Sequence, residues 1–267
     1  MVHDGPRVAL ITGAAQGIGR RTAELLAEQG YALALNDLDH PGQTLDAVGR
    51  AGAEAVAVIG DVSDEAAVEA MIEATLARFG RVDVLVNNAG ISFISPAEDI
   101  TAAQWRRVLD VNLLGPFLLS RAVGRGMLAR GEGSIVNVAS IAGLLGVADR
   151  AAYNASKHGL IGLTRTLAAE WGGHGVRVNA VCPGWVKTEM DVHDMAGGAY
   201  SDADIVARVP MGRFASPDDI AQAIAYLADP RLSGFVNGHA LSVDGGWYAD
   251  ASWDSLRLRQ RPNAQGQ

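Results

Sequence analysis

Cysteine is nearly absent: Cys182 stands alone in 267 residues. A lone thiol cannot close an internal disulfide, which excludes a disulfide-framework fold and suits a reducing compartment. Placed before Pro183, it reads as a small semi-buried hydrophobe rather than a reactive group. Aromatic residues are sparse at 6%, and charged residues make up 19%. Positive charge is in deficit, with 30 acidic against 22 basic residues and a net charge of −8. That balance opposes non-specific contact with nucleic acid or an anionic membrane. A bilayer-spanning run is missing too. The longest tempting apolar stretch, 111–120, is broken by Asn112 and Pro116 and falls short of the roughly 20 residues a span needs. The N-terminus lacks the apolar stretch of a secretory signal, and the six histidines show no metal-ligand spacing. The expectation is a soluble, cytoplasmic, metal-free protein with neither nucleic acid nor membrane as partner.

Glycine, at 32 residues, and hydrophobic side chains, at 49%, are plentiful. A chain of this length can bury roughly three quarters of its unfolded surface and needs no staples. Apolar runs at Val8–Ile11, Ala32–Leu35, Ala55–Ile59, Val84–Val86, Ile135–Val138, Val176–Val181 and Ala240–Val243 read as strands covered on both faces. Helical patterns lie between them, near 18–29, 42–51, 64–79, 101–130, 153–171 and 217–228. Ser63-Asp64-Glu65 and Ser216-Pro217-Asp218-Asp219 carry helix-start chemistry. Such alternation implies an α/β fold: a Rossmann-type doubly wound parallel sheet of about seven strands, helices on both faces. No repeat or linker marks a boundary, so 1–267 reads as a single domain with a core of about 5–248. The connection 188–216, with Gly197, Gly198, Met190, Met195 and Met211, is long enough to be a lid. Residues 249–267 form an extension whose last residues, 262–267, look disordered.

Directly after the first strand, Thr12-Gly13-Ala14-Ala15-Gln16-Gly17-Ile18-Gly19 opens a helix. Glycines let backbone approach a pyrophosphate, and a helix start offers free N–H groups and a positive dipole end. This strand–turn–helix context makes the glycine pattern a strong sign of dinucleotide binding. Asp37 lies 18 residues beyond Gly19, after the second strand. There a carboxylate accepts both ribose hydroxyls and repels a 2′-phosphate; the bland alternative is a solvated turn acid. No arginine or lysine occupies the glycine turn or positions 32–40, so NAD is preferred over NADP. Asp61-Val62 and Asn87-Asn88-Ala89-Gly90 follow the third and fourth strands, where ligands bind in open α/β sheets. Asn87 and Asn88 could satisfy turn backbone singly, but as part of this series they read as lining a cofactor.

Three further residues stand out. Ser140 ends the fifth strand, and Tyr153 and Lys157 share one helical face a turn apart. A free tyrosine, with a pKa near 10, is a poor base at neutral pH; a nearby ammonium favours the phenolate. A serine hydroxyl can hold the oxygen of an alcohol or carbonyl, and the set suits proton transfer coupled to nicotinamide chemistry. Of the 22 basic residues only Lys157 and Lys187 are lysines, which suggests that a compact charge was needed.

Over residues 5–248 the chain thereby resembles the short-chain dehydrogenases/reductases. The residues that carry the resemblance are Thr12-Gly13-x-x-x-Gly17-x-Gly19, Asn87-Asn88-Ala89-Gly90, Asn112, Ser140, Tyr153-x-x-x-Lys157 and Pro183-Gly184. It implies Tyr153 as acid/base, Ser140 as partner of the substrate oxygen, and Lys157 as pKa modulator and nicotinamide-ribose ligand. Asn112 would help hold a relay water; read without the resemblance, it is a polar residue kinking a long helix beside Pro116. The stretch 183–188, with Pro183, Gly184, Val186 and Thr188, would hold the carboxamide. Gln16, Ile18, Asp61, Val62, Asn88, Ala89 and Gly90 complete the expected cofactor contacts. A homotetramer is implied as well. Ala155, Gly159, Gly162, Thr166 and Ala169 permit close helix packing, against a neighbour or against this chain's own sheet.

Candidate substrate-pocket residues are Ser92, Phe93, Ile94, Ala142, Leu144, Leu145, Trp185, Met190 and His193. The first functional expectation is NAD-dependent oxidation of a secondary alcohol, polyol or cyclic sugar hydroxyl. The alternative is reduction of a 3-oxoacyl thioester, which wants NADPH and a basic surface for a carrier protein; a catalytically silent NAD-binding regulator is a third reading. The segment 252–261, with Arg257, Arg259 and Arg261, could fold over a pocket and select an anionic substrate.

Overall fold

The structure is a computed structural model that describes residues 5–187 and 201–253. Within it the apolar runs become strands β1 (Val8–Thr12), β2 (Ala32–Asn36), β3 (Ala55–Ala57), β4 (Val84–Asn87), β5 (Gly133–Val138), β6 (Val176–Pro183) and β7 (Ala240–Val243). All pair in parallel, in the order β3-β2-β1-β4-β5-β6-β7. The helices are α1 (Gly17–Glu28), α2 (Gly42–Arg50), α3 (Glu65–Phe79), α4 (Ala102–Leu109), α5 (Gly115–Arg130), α6 (Ala151–Trp171), α7 (Asp202–Arg208), α8 (Pro217–Ala228) and α9 (Pro230–Ser233).

Period-two alternation feeds two cores, because successive strand side chains leave opposite faces. Ile11, Leu33, Leu35, Val84 and Val136 pack with Leu26 of α1, Val48 of α2 and Ile220 and Ile224 of α8. Leu10, Ala34, Leu85 and Ile135 pack from the other face with Met71 of α3, Leu119 and Met127 of α5 and Leu167 of α6. Each fully buried leucine or isoleucine contributes about 1.5–3 kcal/mol. From β1 the chain winds outward to β3, returns to β4 beside β1, and winds outward again to β7. Where the two windings part, a crevice opens at the carboxyl ends of the strands.

Three local features depart from the sequence reading. Edge strand β3 ends at Ala57, not Ile59: Val58 N–H still bonds the Leu35 carbonyl at 3.0 Å, then the chain turns and Gly60 N–H bonds Asp37. The expected helix 101–130 is two helices joined by a π turn, Asp110–Leu114, in which Gly115 N–H reaches back to the Asp110 carbonyl. Pro116 has no N–H for the Asn112 carbonyl, so the α ladder must be broken there. In the described part of the expected loop 188–216, Ser201 and Asp204 form a capping box that starts α7. No described helix is long and apolar enough to cross a membrane.

Candidate active site

The crevice begins at the turn after β1. Gly13 has φ +63°, and a Cβ there would meet the Asn88 amide at 2.8 Å. At Gly19 an added Cβ would lie 2.0 Å from the Gly13 carbonyl oxygen, so helix α1 sits as close to the turn as its backbone allows. The α1 N-cap, Gln16, makes no side-chain cap bond, and no acid occupies the first turn. The leading N–H groups and dipole end of α1 thus face a cleft, an arrangement that suits a phosphate. Asn88 holds this turn in shape. Its Nδ2 donates to the Thr12 and Gly13 carbonyls at 2.9 and 3.0 Å, while the Asn88 and Ala89 N–H groups both donate to Thr12 Oγ1.

Asp37 lines the cleft beyond the tip of β2. Its carboxylate accepts the Ala15 N–H at 2.9 Å and the Leu38 N–H at 2.8 Å, which fixes its orientation beside the glycine turn. Asp61 and Val62 line the same end. Asp61 accepts from the Ser63 N–H and hydroxyl, at 2.9 and 2.7 Å, and pairs with Arg107 at 2.8 Å. Burial works against its charge, but the Ser63 donors and the Arg107 guanidinium outweigh it and hold the carboxyl below its usual range.

At the other end stand the reacting groups expected from the sequence. Ser140 follows β5, its hydroxyl accepting the Ala142 N–H at 3.1 Å. Tyr153 and Lys157 rise from α6, and all three side chains line the cleft. Lys157 is 4% exposed; its Nζ lies 5.5 Å from the centroid of the Tyr153 ring and donates to the Val138 carbonyl at 2.8 Å. Burial lowers its pKa to about 8, with buried Cys182 pulling weakly the other way. Burial also pushes the Cys182 thiol up to about 11, as its reading as an inert hydrophobe requires. Asn112 sits on the π turn, fully buried, and is placed behind the cleft rather than in its lining. Its amide clamps both backbone groups of Ile91 at 2.9 Å and donates to Ser156 Oγ at 3.1 Å.

The remaining expectations sort by position. Gly13, Gln16, Gly17, Ile18, Asn88, Ala89, Gly90, Pro183, Gly184 and Val186 line the cleft, whereas Gly19 serves the close helix contact behind it. Asn87 lies off the cleft: it is 2% exposed, and its Nδ2 ties β4 to β5 through Asn137 Oδ1 at 2.8 Å. Of the candidate pocket residues Ala142 and Trp185 line the cleft, while Phe93 and Ile94 are exposed. Thr188, Met190, His193 and the C-terminal arginines lie outside the described residues. Sequence reasoning missed Arg107, Val147, Arg150 and Trp247, which all line the cleft. Arginines on helical segments look like surface residues, and nothing local signals which strand ends they face.

The glycine turn, the bare start of α1 and Asp37 together fit a dinucleotide, with the adenosine half at the β1–β3 side and the nicotinamide half near Ser140, Tyr153 and Lys157. Residues 13–248 match a family model described as enoyl-(acyl carrier protein) reductase. D-threitol dehydrogenase of Mycolicibacterium smegmatis is 43% identical over 244 residues, 90% of this chain and 92% of that protein. Cis-4-hydroxycyclohexanecarboxylate dehydrogenase of Sinomonas cyclohexanicum is 43% identical over 247 residues, 91% of this chain and 97% of that one. Among solved structures, a putative NAD(P)-dependent gluconate 5-dehydrogenase from Beutenbergia cavernae, with NADP bound at low occupancy, superposes with a TM-score of 0.86 at 42% identity, covering 92% of this chain and 98% of that one. The family model spans most of the chain and relatives at 42–43% identity cover about nine-tenths of it, and the chain therefore belongs to the short-chain dehydrogenase/reductase family of oxidoreductases.

Proposed function

We propose that the protein is an NAD-dependent dehydrogenase that oxidises a secondary alcohol, polyol or cyclic hydroxyl, with Tyr153 as its general acid/base. The observation that carries the cofactor choice is Asp37, oriented by two backbone N–H groups beside the phosphate turn. Nearby Arg20 is engaged with Glu24 and Gln43, and Arg21 with Glu24, Glu28 and Asp218, so neither is committed to a 2′-phosphate. The names of the two curated relatives, one acting on a polyol and one on a ring hydroxyl, support the substrate class.

When bound, a nicotinamide dinucleotide supplies the acceptor for the hydride that leaves the alcohol carbon. Gly13, Gln16, Gly17 and Ile18 would hold its phosphates, Asp37 its adenosine ribose, Asp61, Val62, Asn88, Ala89 and Gly90 the walls between, and Pro183, Gly184, Val186 and Thr188 its carboxamide end. Ser140 orients the substrate oxygen by a hydrogen bond. Tyr153 takes the hydroxyl proton through its phenolic oxygen. Lys157 stabilises the phenolate electrostatically, and Asn112 fixes the Ile91 backbone against which a relay water would sit.

The test is NADH formation across secondary alcohols, polyols and sugars, with Tyr153→Phe alongside the wild type. Oxidation that falls at least about a hundredfold in Tyr153→Phe while NAD affinity persists supports the reading; silence across the panel overturns it. The matching family model, named for acyl-carrier-protein chemistry, favours a second reading as a 3-oxoacyl-thioester reductase. NADPH-dependent turnover of acetoacetyl thioesters exceeding alcohol oxidation would establish that instead. The same reading takes the protein as a cytoplasmic homotetramer. Ala155, Gly162, Thr166 and Ala169 are exposed on α6 rather than packed on the sheet, which leaves a small-residue face for a neighbour. Cys182, free and buried, fits a reducing compartment.

A further inference from the structure

We propose that Trp185 and Trp247 form an aromatic wall that selects a saturated carbocyclic alcohol, its hydroxyl borne on the ring, over an open-chain alcohol or a polyol. The inference deepens the dehydrogenase reading and rests on it for the identity of the reacting end. Trp185 follows β6 and Trp247 follows β7, neighbouring strands of the sheet, and both line the cleft that Ser140 and Tyr153 also line. Their ring centroids are 6.0 Å apart and their planes tilt by 42°, so the pair presents one angled indole surface. Each is half-buried, and part of what it keeps open faces the cleft.

The loops that carry the two indoles are locked at their base. Gly184 N–H donates to the Val243 carbonyl at 3.0 Å, and Ala215 N–H to the Trp185 carbonyl at 2.9 Å. A Cβ at Gly184 would lie 2.9 Å from the Asp244 Cα, so the two backbones run as close as a glycine permits. The Asp244 carboxylate accepts the Gly246 and Tyr248 N–H groups at 3.0 and 2.7 Å, which fixes the turn that carries Trp247. Arg208 braces that indole, its guanidinium carbon 4.8 Å from the ring centroid and its Nη1 3.4 Å from Asp250. Arg150 braces the other, 5.4 Å from the Trp185 centroid with Nη1 donating to Ser92 at 2.9 Å. Both cations are engaged in holding the wall, and the inference asks nothing else of them.

Ile141 and Ala142, in the short turn after β5, and Val147 beyond it line the same cleft. Apolar side chains therefore flank Ser140 and Tyr153 from the β5 loop as well as from the β6 and β7 loops. A polyol that lays a hydroxyl against such carbon surface loses water there without gaining a bond. The CH2 groups of a saturated ring gain burial against indole instead. A ring also arrives with its torsions fixed, whereas an open chain of equal carbon count must surrender rotamer freedom to lie on the same surface. Ser140 and Tyr153 thus act on the oxygen of the substrate, and the two indoles decide which skeleton brings it there.

The test reads binding in the presence of NADH, where an alcohol cannot be oxidised. Cyclohexanol, 2-hexanol and threitol are titrated into the wild type, Trp247→Phe and Trp247→Ala and followed by ligand-observed NMR. The wild type should hold cyclohexanol about tenfold or more tightly than 2-hexanol, and threitol more weakly than either. Trp247→Phe should keep part of the margin over 2-hexanol. Trp247→Ala should bring cyclohexanol within about twofold of 2-hexanol, whereas a general loosening of the fold would weaken all three alcohols alike and leave the margin standing. Equal affinities in the wild type, tighter threitol, no measurable cyclohexanol binding, or a margin that survives Trp247→Ala would overturn the proposal. Should Trp247→Ala fail to fold, a margin undiminished in Trp247→Phe overturns it instead. NADH formed from threitol as efficiently as from cyclohexanol would discard the wall and leave the dehydrogenase reading standing. The binding margin with no NADH from any alcohol would do the reverse.

Discussion

Lys157 is one of two lysines in the chain, and the fold treats them oppositely. Lys187 is exposed and paired with Asp202 at 2.6 Å, whereas Lys157 is buried with one backbone carbonyl as its hydrogen-bond acceptor. The rarity of lysine in the sequence therefore pointed to a needed charge at one position and to an ordinary surface ion pair at the other. Holding an ammonium in that place works against the fold. Its pKa is lowered from 10.5 to about 8, so below pH 8 the folded state carries a charge that burial disfavours, on the order of 3 kcal/mol. Lys157→Met removes that charge and also strands the Val138 carbonyl, which returns about 1–3 kcal/mol. At pH 7 the variant should be as stable as the wild type or more so, while turnover falls at least about a hundredfold. Between pH 8 and 10.5 the unfolded wild type binds a proton that the folded wild type has released, so wild-type stability rises with pH in that window. The stability of Lys157→Met relative to wild type should accordingly decline from pH 7 to 10, measured by urea unfolding. A difference that is flat or grows with pH would show that the lysine is not buried against its charge.

The π turn between α4 and α5 shows the same conflict at the scale of an element. One residue is spent outside the α ladder, and Asn112, on that turn, faces the Ile91 backbone and Ser156. A continuous helix 101–130 was a fair reading, because the apolar pattern runs on through the break and Pro116 announces an interruption without saying which kind. The glycine turn, Asp37 and the Tyr153–Lys157 pair were legible because their meaning is local: spacing along one turn or one helix face decides it. Arg107 and Arg150 were not, since their place depends on which loops the sheet order brings together. Helix α7 starts on Ser201-x-x-Asp204, a short signal inside a stretch whose Gly197 and Gly198 read as loop. Asn112→Ala removes both clamps on Ile91 and leaves its half-buried N–H and carbonyl without that partner, at a cost of about 1–3 kcal/mol. Turnover should fall by more than NAD affinity does, because the loop displaced lies beside Lys157. Chemical denaturation with steady-state kinetics checks both; unchanged stability with unchanged turnover would show that the clamp positions nothing.

For the whole molecule, the deciding feature is where the crevice lies in the strand order. A dinucleotide lying across the parting of β1 and β4 touches loops from both windings of the sheet, so its binding energy is available only to the folded state. At a ligand concentration about a hundredfold above Kd this adds about 2.7 kcal/mol. At roughly 2–4 °C per kcal/mol for a chain of this size, NAD should raise Tm by about 5–11 °C. On the proposed NAD reading NADP at the same concentration should raise it less, because its 2′-phosphate would meet the Asp37 carboxylate where ribose hydroxyls would otherwise donate. Asp37→Ala reverses the order by removing the acceptor for NAD and the repulsion for NADP together. It also frees the Ala15 and Leu38 N–H groups, which face the cleft edge and can turn to water or to the phosphate itself. A differential scan of both proteins with both cofactors separates the possibilities. A larger NADP shift in the wild type would discard the NAD assignment while leaving the family and the fold intact. An NAD preference untouched by Asp37→Ala would mean that another part of the cleft discriminates between the cofactors.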